Sequence, residues 1–350
     1  MPINARLPFA LSGILLLGIV LAACGTGVPS TPSPTEGVSP VTAVTEAAEA
    51  VAMPAREAPT LRMALLPVLD VLPFYIAQEE GYFADEGLTV ELVPVASALE
   101  REQLLVAGEI DGMLTDVIGP AITNAAAGPS VRIVATARRP FPGAPLFRLL
   151  AAPGSDIESV ADLAGVSIGI SENSVIQYLG DRLLVRGGLD IEDIVYESVP
   201  SIPNRFNLMM EGQLGAAILP DPLAQAATAA GAVLVLDDTT LVEEQLSQSV
   251  LSFSNRVLEE KPGAVRAFLR GWNRAVEALN ADPDSFRQLW LANTDVPDSV
   301  QETYLIPPFP VNEVTSQAVW DDVNDWLVGR GIIDRPAAYE DSVDASFLPE

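Results

Sequence analysis

Pro73-Phe74-Tyr75-Ile76-Ala77-Gln78-Glu79-Glu80-Gly81-Tyr82-Phe83-Ala84-Asp85-Glu86-Gly87-Leu88-Thr89-Val90-Glu91-Leu92 changes its period part-way along. From Pro73 to Phe83 the apolar residues recur at helical spacing, and Pro73 suits a first helical turn. Gly81 and Gly87 supply turns at positive φ. Leu88 to Pro94 then reads as a strand. A helix that hands over to a strand within so short a run is the building unit of an α/β sheet.

The same alternation extends outward in both directions. Upstream, Leu61 to Leu66 is a strand closed by Pro67. Downstream, Ser97 caps a helix to Ala107, and Glu100 completes a capping box. A turn and buried strand follow from Gly108 to Leu114. Asp116 opens a helix that Gly128 ends, and Val131–Ala137 and Leu146–Ala151 are strands. A second series begins with a helical turn at Ser159–Leu163. Its strands are 166–170, 194–199, 216–219 and 233–236, with helices at 173–186, 203–210 and 222–230 between them. One more strand spans Val250 to Ser254. From Pro262 the chain reads as mostly helical, over 265–279, 285–292 and 316–329. Two such series predict two α/β lobes with parallel sheets and right-handed crossovers. In open α/β sheets the ligand lies beyond the carboxyl ends of the strands, here between the lobes.

The N-terminus carries a different signal. One cation, Arg6, precedes a mostly apolar run from Leu7 to Ala23, interrupted by Pro8, Ser12, Gly13 and Gly18. That run is too short and broken for a membrane span, which needs about 20 apolar residues. It fits the core of an export signal. It ends in Leu21-Ala22-Ala23-Cys24, which resembles the lipobox of bacterial lipoproteins. That resemblance makes residues 1–23 a signal peptide and Cys24 the lipidated residue. Residues 24–60, rich in Pro, Thr, Ser, Ala and Glu and without aromatics, lack the apolar surface to offset chain entropy. They read as a tether with a root-mean-square reach of roughly 30–36 Å.

Composition narrows the function. Of 350 residues, 49% are hydrophobic, and the formal net charge is −28. The body left after the tether, about 290 residues, is long enough for two lobes or one large domain. Its acidity argues against nucleic acid and anionic headgroups as ligands. Histidine is absent, which removes histidine acid–base chemistry, Ser-His-Asp triads and most zinc sites. Cys24 is the single cysteine, so no intrachain disulfide forms. No calcium-loop spacing is present. The composition points away from an enzyme and requires no cofactor or metal.

The quoted stretch resembles the pattern P-x-x-x-A-x-x-x-G-(Y/F)-F-x-x-x-G-L-x-V of the nitrate/sulfonate/taurine and thiamine-pyrimidine-precursor binding proteins. Ala107-Gly108-Glu109-Ile110-Asp111 is similar to that family's A-G-x-(I/L)-D. Ser159 to Gly169 is similar to its S-x-x-D-L-x-G-x-x-(I/V)-(G/A). Lys261 to Leu269 is similar to its N-P-E-x-V-x-A-(F/L), with Lys261 for the usual Asn and Gly263 for the usual acid. The resemblance spans about Leu61 to Leu291. It implies an α/β type II periplasmic-binding-protein fold, two lobes around a ligand cleft with a two-strand hinge. It places lobe 1 at 61–147 plus 251–350 and lobe 2 at 148–250. It implies a small organic solute, sulfonate-like or pyrimidine-like, bound by lobe closure. Its partners would be an ABC permease and its ATPase. The protein would act as an exported monomer, lipid-anchored to the outer face of the cytoplasmic membrane. Pyrimidine synthases related to the family use a histidine and a cysteine-rich motif, and neither occurs here. A membrane-tethered ligand sensor is the other reading that stays open.

The loops after the strands nominate ligand contacts. They are Asp70 and Leu72 after the first strand, Ser97 after the second, and Thr115 and Asp116 after the third. Arg138 follows the fourth. In the second lobe they are Ser171, Asn173 and Ser174, then Arg205, then Asp221. Ser97, Thr115, Asn173 and Ser174 either bond a ligand or cap helices. Asp70 and Asp221 either hold a donor-rich ligand or brace the hinge. Arg138, its neighbour Arg139 and Arg205 either pair an anionic ligand bidentately or sit as solvated surface charge. Adjacent side chains on a strand point to opposite faces, so at most one of Arg138 and Arg139 faces the cleft.

Overall fold

The first strand opens the fold one residue before the expected Leu61. The structure is a computed structural model and describes residues 58–350. The expected signal peptide, Cys24 and nearly all of the expected tether lie outside the described residues. Strand β1 begins at Thr60, and the Pro59 carbonyl accepts from Thr89 N. No described helix is long and apolar enough to cross a membrane.

The strands are β1 (Thr60–Leu65), β2 (Thr89–Pro94), β3 (Gly112–Asp116), β4 (Val131–Arg138), β5 (Phe147–Ala151), β6 (Ser167–Ile170), β7 (Val195–Ser198), β8 (Ala216–Pro220), β9 (Val233–Asp237) and β10 (Ser249–Ser254). The helices are α1 (Leu72–Glu79), α2 (Tyr82–Asp85), α3 (Ala98–Val106), α4 (Ile118–Ala127), α5 (Val175–Arg186) and α6 (Ile202–Met210). They continue with α7 (Leu223–Ala229), α8 (Asn255–Glu260), α9 (Pro262–Ala281), α10 (Arg287–Asn293), α11 (Gln317–Gly329) and α12 (Tyr339–Ser342). They cover two five-stranded sheets, ordered β2-β1-β3-β10-β4 and β7-β6-β8-β5-β9.

The sheets are mixed, which corrects the expectation of parallel sheets. β1 pairs with β2 and β3 in parallel, and β6 pairs likewise with β7 and β8. β10 runs antiparallel to β3 and β4, and β5 runs antiparallel to β8 and β9. The cause is topological. β5 and β10 are the strands the chain enters on crossing from one sheet to the other. They start at the cleft edge, where the parallel strands end, and so run away from it.

The opening stretch is not one helix. Gly81 takes φ +72° and separates α1 from α2, where a continuous helix to Phe83 was expected. The turn lays Phe83 flat on Phe268 of α9, with ring centroids 5.2 Å apart. Phe74 meets Trp272 edge-on at 4.9 Å. Gly271 permits this approach, since a Cβ there would lie 2.7 Å from the Phe83 ring. The apolar face of α9 (Val265, Phe268, Leu269, Trp272, Val276, Leu279) recurs at three and four residues and covers the first sheet.

Two segments, 139–146 and 238–248, connect the sheets. Asp238 ties them together. Its buried carboxylate accepts from Leu146 N (3.0 Å), Phe147 N (3.2 Å) and Ser247 Oγ (2.6 Å). Burial pushes its pKa up to about 7, against the downward pull of those hydrogen bonds. A carboxyl raised on folding binds more protons in the folded than in the unfolded state across the window between the two pKa values. Its contribution is full below about pH 4 and is lost as pH rises toward about 7. Asp238→Asn removes this titration. The difference in unfolding free energy between wild type and variant is expected to change by more than about 1 kcal/mol from pH 4 to pH 7.5, measured by urea denaturation. A constant difference would show that the carboxylate is charged throughout.

Candidate functional site

The parallel strands of both sheets release their loops into one cleft of about 600 Å³. Leu66–Asp70 follow β1, Ala96–Ala98 follow β2, and Leu114–Asp116 and Arg138 close β3 and β4. From the second sheet come Ser171 and Ser174–Ile176 after β6, Pro200–Pro203 after β7 and Pro220–Leu223 after β8. Leu146, Phe147 and Ser249 enter at the starts of β5 and β10. Thr294–Pro297, between α10 and α11, complete one wall. The lining is mostly aliphatic and proline, with Phe147 the one aromatic ring among the lining residues. A volume of this size suits a small organic molecule.

The cations of the cleft are already engaged. Arg138, 2% exposed, donates to Asp70 at 2.6 Å, and Asp70 also accepts from the Ser249 hydroxyl. Burial alone would lower the Arg138 pKa, but Asp70, Tyr304 and Asp221 together hold it above its ordinary value. Behind the wall, Arg148 forks onto Asp221 at 2.8 and 2.7 Å. Burial nonetheless keeps the Asp221 carboxyl above its usual range, with Arg148 pulling against it. Arg101 donates to the Leu114 carbonyl (2.9 Å) and the Thr115 hydroxyl (2.7 Å), with Glu102 at 3.4 Å. The charged lining residues are Asp70, Asp116, Asp221 and Asp295 against Arg101 and Arg138, so carboxylates outnumber guanidinium groups four to two.

Short polar side chains finish the helix starts. Ser97 accepts from Glu100 N (3.2 Å), and Ser174 accepts from Ile176 N (3.2 Å). Asp116 Oδ1 accepts from Ile118 N and Gly119 N at the start of α4. The Ser171 hydroxyl accepts from Arg205 (3.1 Å) and donates to the Pro200 carbonyl (3.4 Å). Among the described residues no cluster of histidine, cysteine and carboxylate could hold a metal ion.

The family model described as NMT1/THI5 like matches residues 69–286, more than half of the chain. The chain belongs to the NMT1/THI5-like family. Its relatives differ in what they do. The riboflavin-binding protein RibY of Chloroflexus aurantiacus is 24% identical, over 96% of each chain. A 4-amino-5-hydroxymethyl-2-methylpyrimidine phosphate synthase of Saccharomyces cerevisiae is 27% identical, over 61% of this chain and 64% of its own. Among solved structures, the alkanesulfonate-binding protein SsuA of Xanthomonas axonopodis pv. citri, bound to MOPS, superposes with a TM-score of 0.69 at 22% identity. That match covers 83% of this chain and 99% of SsuA. The fold of this NMT1/THI5-like chain is therefore that of the periplasmic binding proteins.

Within this NMT1/THI5-like fold, the cleft brings together Asp70, Ser97, Thr115, Asp116, Arg138, Ser171, Ser174 and Asp221. Three other nominated residues lie elsewhere. Leu72 begins α1 and is buried in the core of the first sheet. Asn173 is exposed at φ +54°, its N–H held by Gln177. Arg205, expected either on a ligand or in solvent, is fully buried, bonded to Ser171 and the Val199 carbonyl (2.8 Å). Burial with no facing carboxylate lowers its pKa to about 10. Arg139, next to Arg138, turns away and forks onto Glu313 at 2.7 and 2.8 Å. The sequence reading missed Arg101, Ser249 and the Thr294–Pro297 wall. Arg101 was visible as a cation inside a helix that starts at the cleft. The Thr294–Pro297 loop lies far along the chain and carries no local signal.

Proposed function

We propose that this chain is the extracytoplasmic solute-binding component of an ABC importer, tethered by lipid on Cys24, and that its cleft closes on an uncharged, planar nitrogen heterocycle. The observation that carries the reading is the charge state of the cleft. Each lining arginine already has protein acceptors, and four carboxylates line the same space. An oxyanion there would meet net repulsion and would have to break an existing pair. An uncharged ring meets apolar walls and the Thr115 and Ser171 hydroxyls. Each of those hydroxyls accepts from a buried arginine. Each donates its own proton over a long bond, Thr115 to Glu102 at 3.5 Å and Ser171 to the Pro200 carbonyl at 3.4 Å, which a ring carbonyl or nitrogen can replace.

Binding without turnover fits the composition, since the chain has no histidine and its one cysteine stands at position 24. The name of the riboflavin-binding relative supports a heterocycle, and the likeness to binding proteins supports delivery rather than chemistry. The test is thermal denaturation of the full chain with riboflavin, 4-amino-5-hydroxymethyl-2-methylpyrimidine and methanesulfonate in separate arms. A true solute at 100 times its dissociation constant adds about 2.7 kcal/mol of stability. Stabilisation by a heterocycle and none by methanesulfonate is expected. The reverse pattern would sink the proposal.

A further inference from the structure

Two helices point their N-termini at the cleft from opposite lobes, and one side chain joins them. Asp116 Oδ1 accepts from Ile118 N (2.9 Å) and Gly119 N (3.1 Å) at the start of α4. Its Oδ2 accepts from Val175 N (3.5 Å) at the start of α5, across the cleft. The two helices are 10 and 12 residues long, so each presents the positive end of its dipole, and of their first N–H groups Ile118, Gly119 and Val175 turn to Asp116 while Ser174 caps Ile176. Such a convergence is where an anion is most stable, and here the protein supplies its own. Arg101 stands beside it, 5% exposed, bonded to Thr115 but with Nε unpartnered.

We propose that Asp116 is the charge filter of the cleft: an internal carboxylate that bridges the α4 and α5 N-termini, latches the lobes together and excludes oxyanion solutes. The inference rests on the cleft being the solute site and adds the residue that sets its charge class. With the bridge made inside the protein, closure needs no negative group from the solute. An incoming sulfonate or phosphate would have to displace Asp116 and remain beside it. Asp116→Asn keeps an acceptor for α4 but removes the charge and turns the second position into a donor. That donor and the Val175 N–H then face each other with no acceptor between them. The filter becomes an oxyanion site.

The test is calorimetric titration of the full chain with methanesulfonate and, separately, with sulfate. Wild type is expected to bind neither, and Asp116→Asn is expected to bind methanesulfonate at least tenfold more tightly than wild type. Asp116→Glu, which keeps the charge, is expected to go on excluding it. Asp116→Ser, which can still cap α4, serves as a second neutral variant if Asp116→Asn does not fold. A wild-type chain that binds either anion overturns the proposal, as does a folded neutral variant with no gain. If wild type binds no heterocycle while the neutral variant gains methanesulfonate, the filter stands and the heterocycle reading alone fails.

Discussion

Asp70→Ala is expected to lower folding stability by about 3–5 kcal/mol, because it strands a buried guanidinium. Arg138 is 2% exposed and donates to Asp70 at 2.6 Å, while Asp70 also accepts from Ser249. The pair links the loop after β1 to the end of β4 and the start of β10. Removing the carboxylate leaves Arg138 with the Pro145 carbonyl at 3.5 Å, the Tyr304 hydroxyl and the more distant field of Asp221. The cost of the variant is the desolvated charge left behind, which exceeds the net worth of the intact pair. Asp70→Ala with Arg138→Met removes both charges and is expected to recover most of the loss. Urea denaturation of the full chain checks both. A loss below about 1 kcal/mol in the single variant would mean that Arg138 re-pairs with Asp221 or reaches water. The same experiment bears on function, since Arg138 is available to a solute only while unpaired, and Asp70 keeps it paired.

Asp181→Ala is expected to cost about 2–4 kcal/mol and to loosen α11 from the second lobe. Asp181, 3% exposed on α5, accepts from Trp326 Nε1 (2.6 Å), Tyr196 Oη (2.9 Å) and Arg330 Nε (2.8 Å). Trp326 and Arg330 belong to α11 and its end, while Trp320, Val323 and Leu327 of α11 share one core cluster with residues of both sheets. The Tyr178 hydroxyl and Arg182 add hydrogen bonds to Asp322. Helix α11 therefore packs against elements of both lobes. Without Asp181, the buried indole N–H and the Tyr196 hydroxyl lose their acceptor, whereas Arg330, about a third exposed, can turn to water. Hydrogen exchange is expected to speed up over 317–330 and to change little over α9. Unchanged exchange in α11 would show that its apolar face alone holds it.

Much of the fold followed from local pattern. The change of period between Pro73 and Leu92, the Ser97 N-cap and the glycine stops placed elements with errors of only a few residues at their ends, although Glu100 accepts from Ala96 N and so does not close the expected capping box. Those errors have particular causes. Gly81 breaks the first helix because α2 must turn Phe83 onto α9, and that partner lies far along the chain. The direction of β5 and β10 was misread for a similar reason. A strand has the same alternation whichever way it runs, and only the crossing between sheets decides.

The candidate site divides along the same line. Loop position alone nominated Asp70, Thr115, Asp116 and Ser171, because chain ends of parallel strands converge in any such fold. It also nominated Leu72, Asn173 and Arg205, which the packing turns aside. The sequence by itself determined what chemistry is missing, from the absent histidine and single cysteine, and which loops meet. Only the tertiary structure decided which charges are free. Arg138 finds Asp70 at a separation of 68 residues, and Arg148 finds Asp221 at 73. Asp116 reaches Val175 at 59. Pairing at such separations depends on where folded elements come to rest, and a buried charge takes its meaning from the partner it meets there.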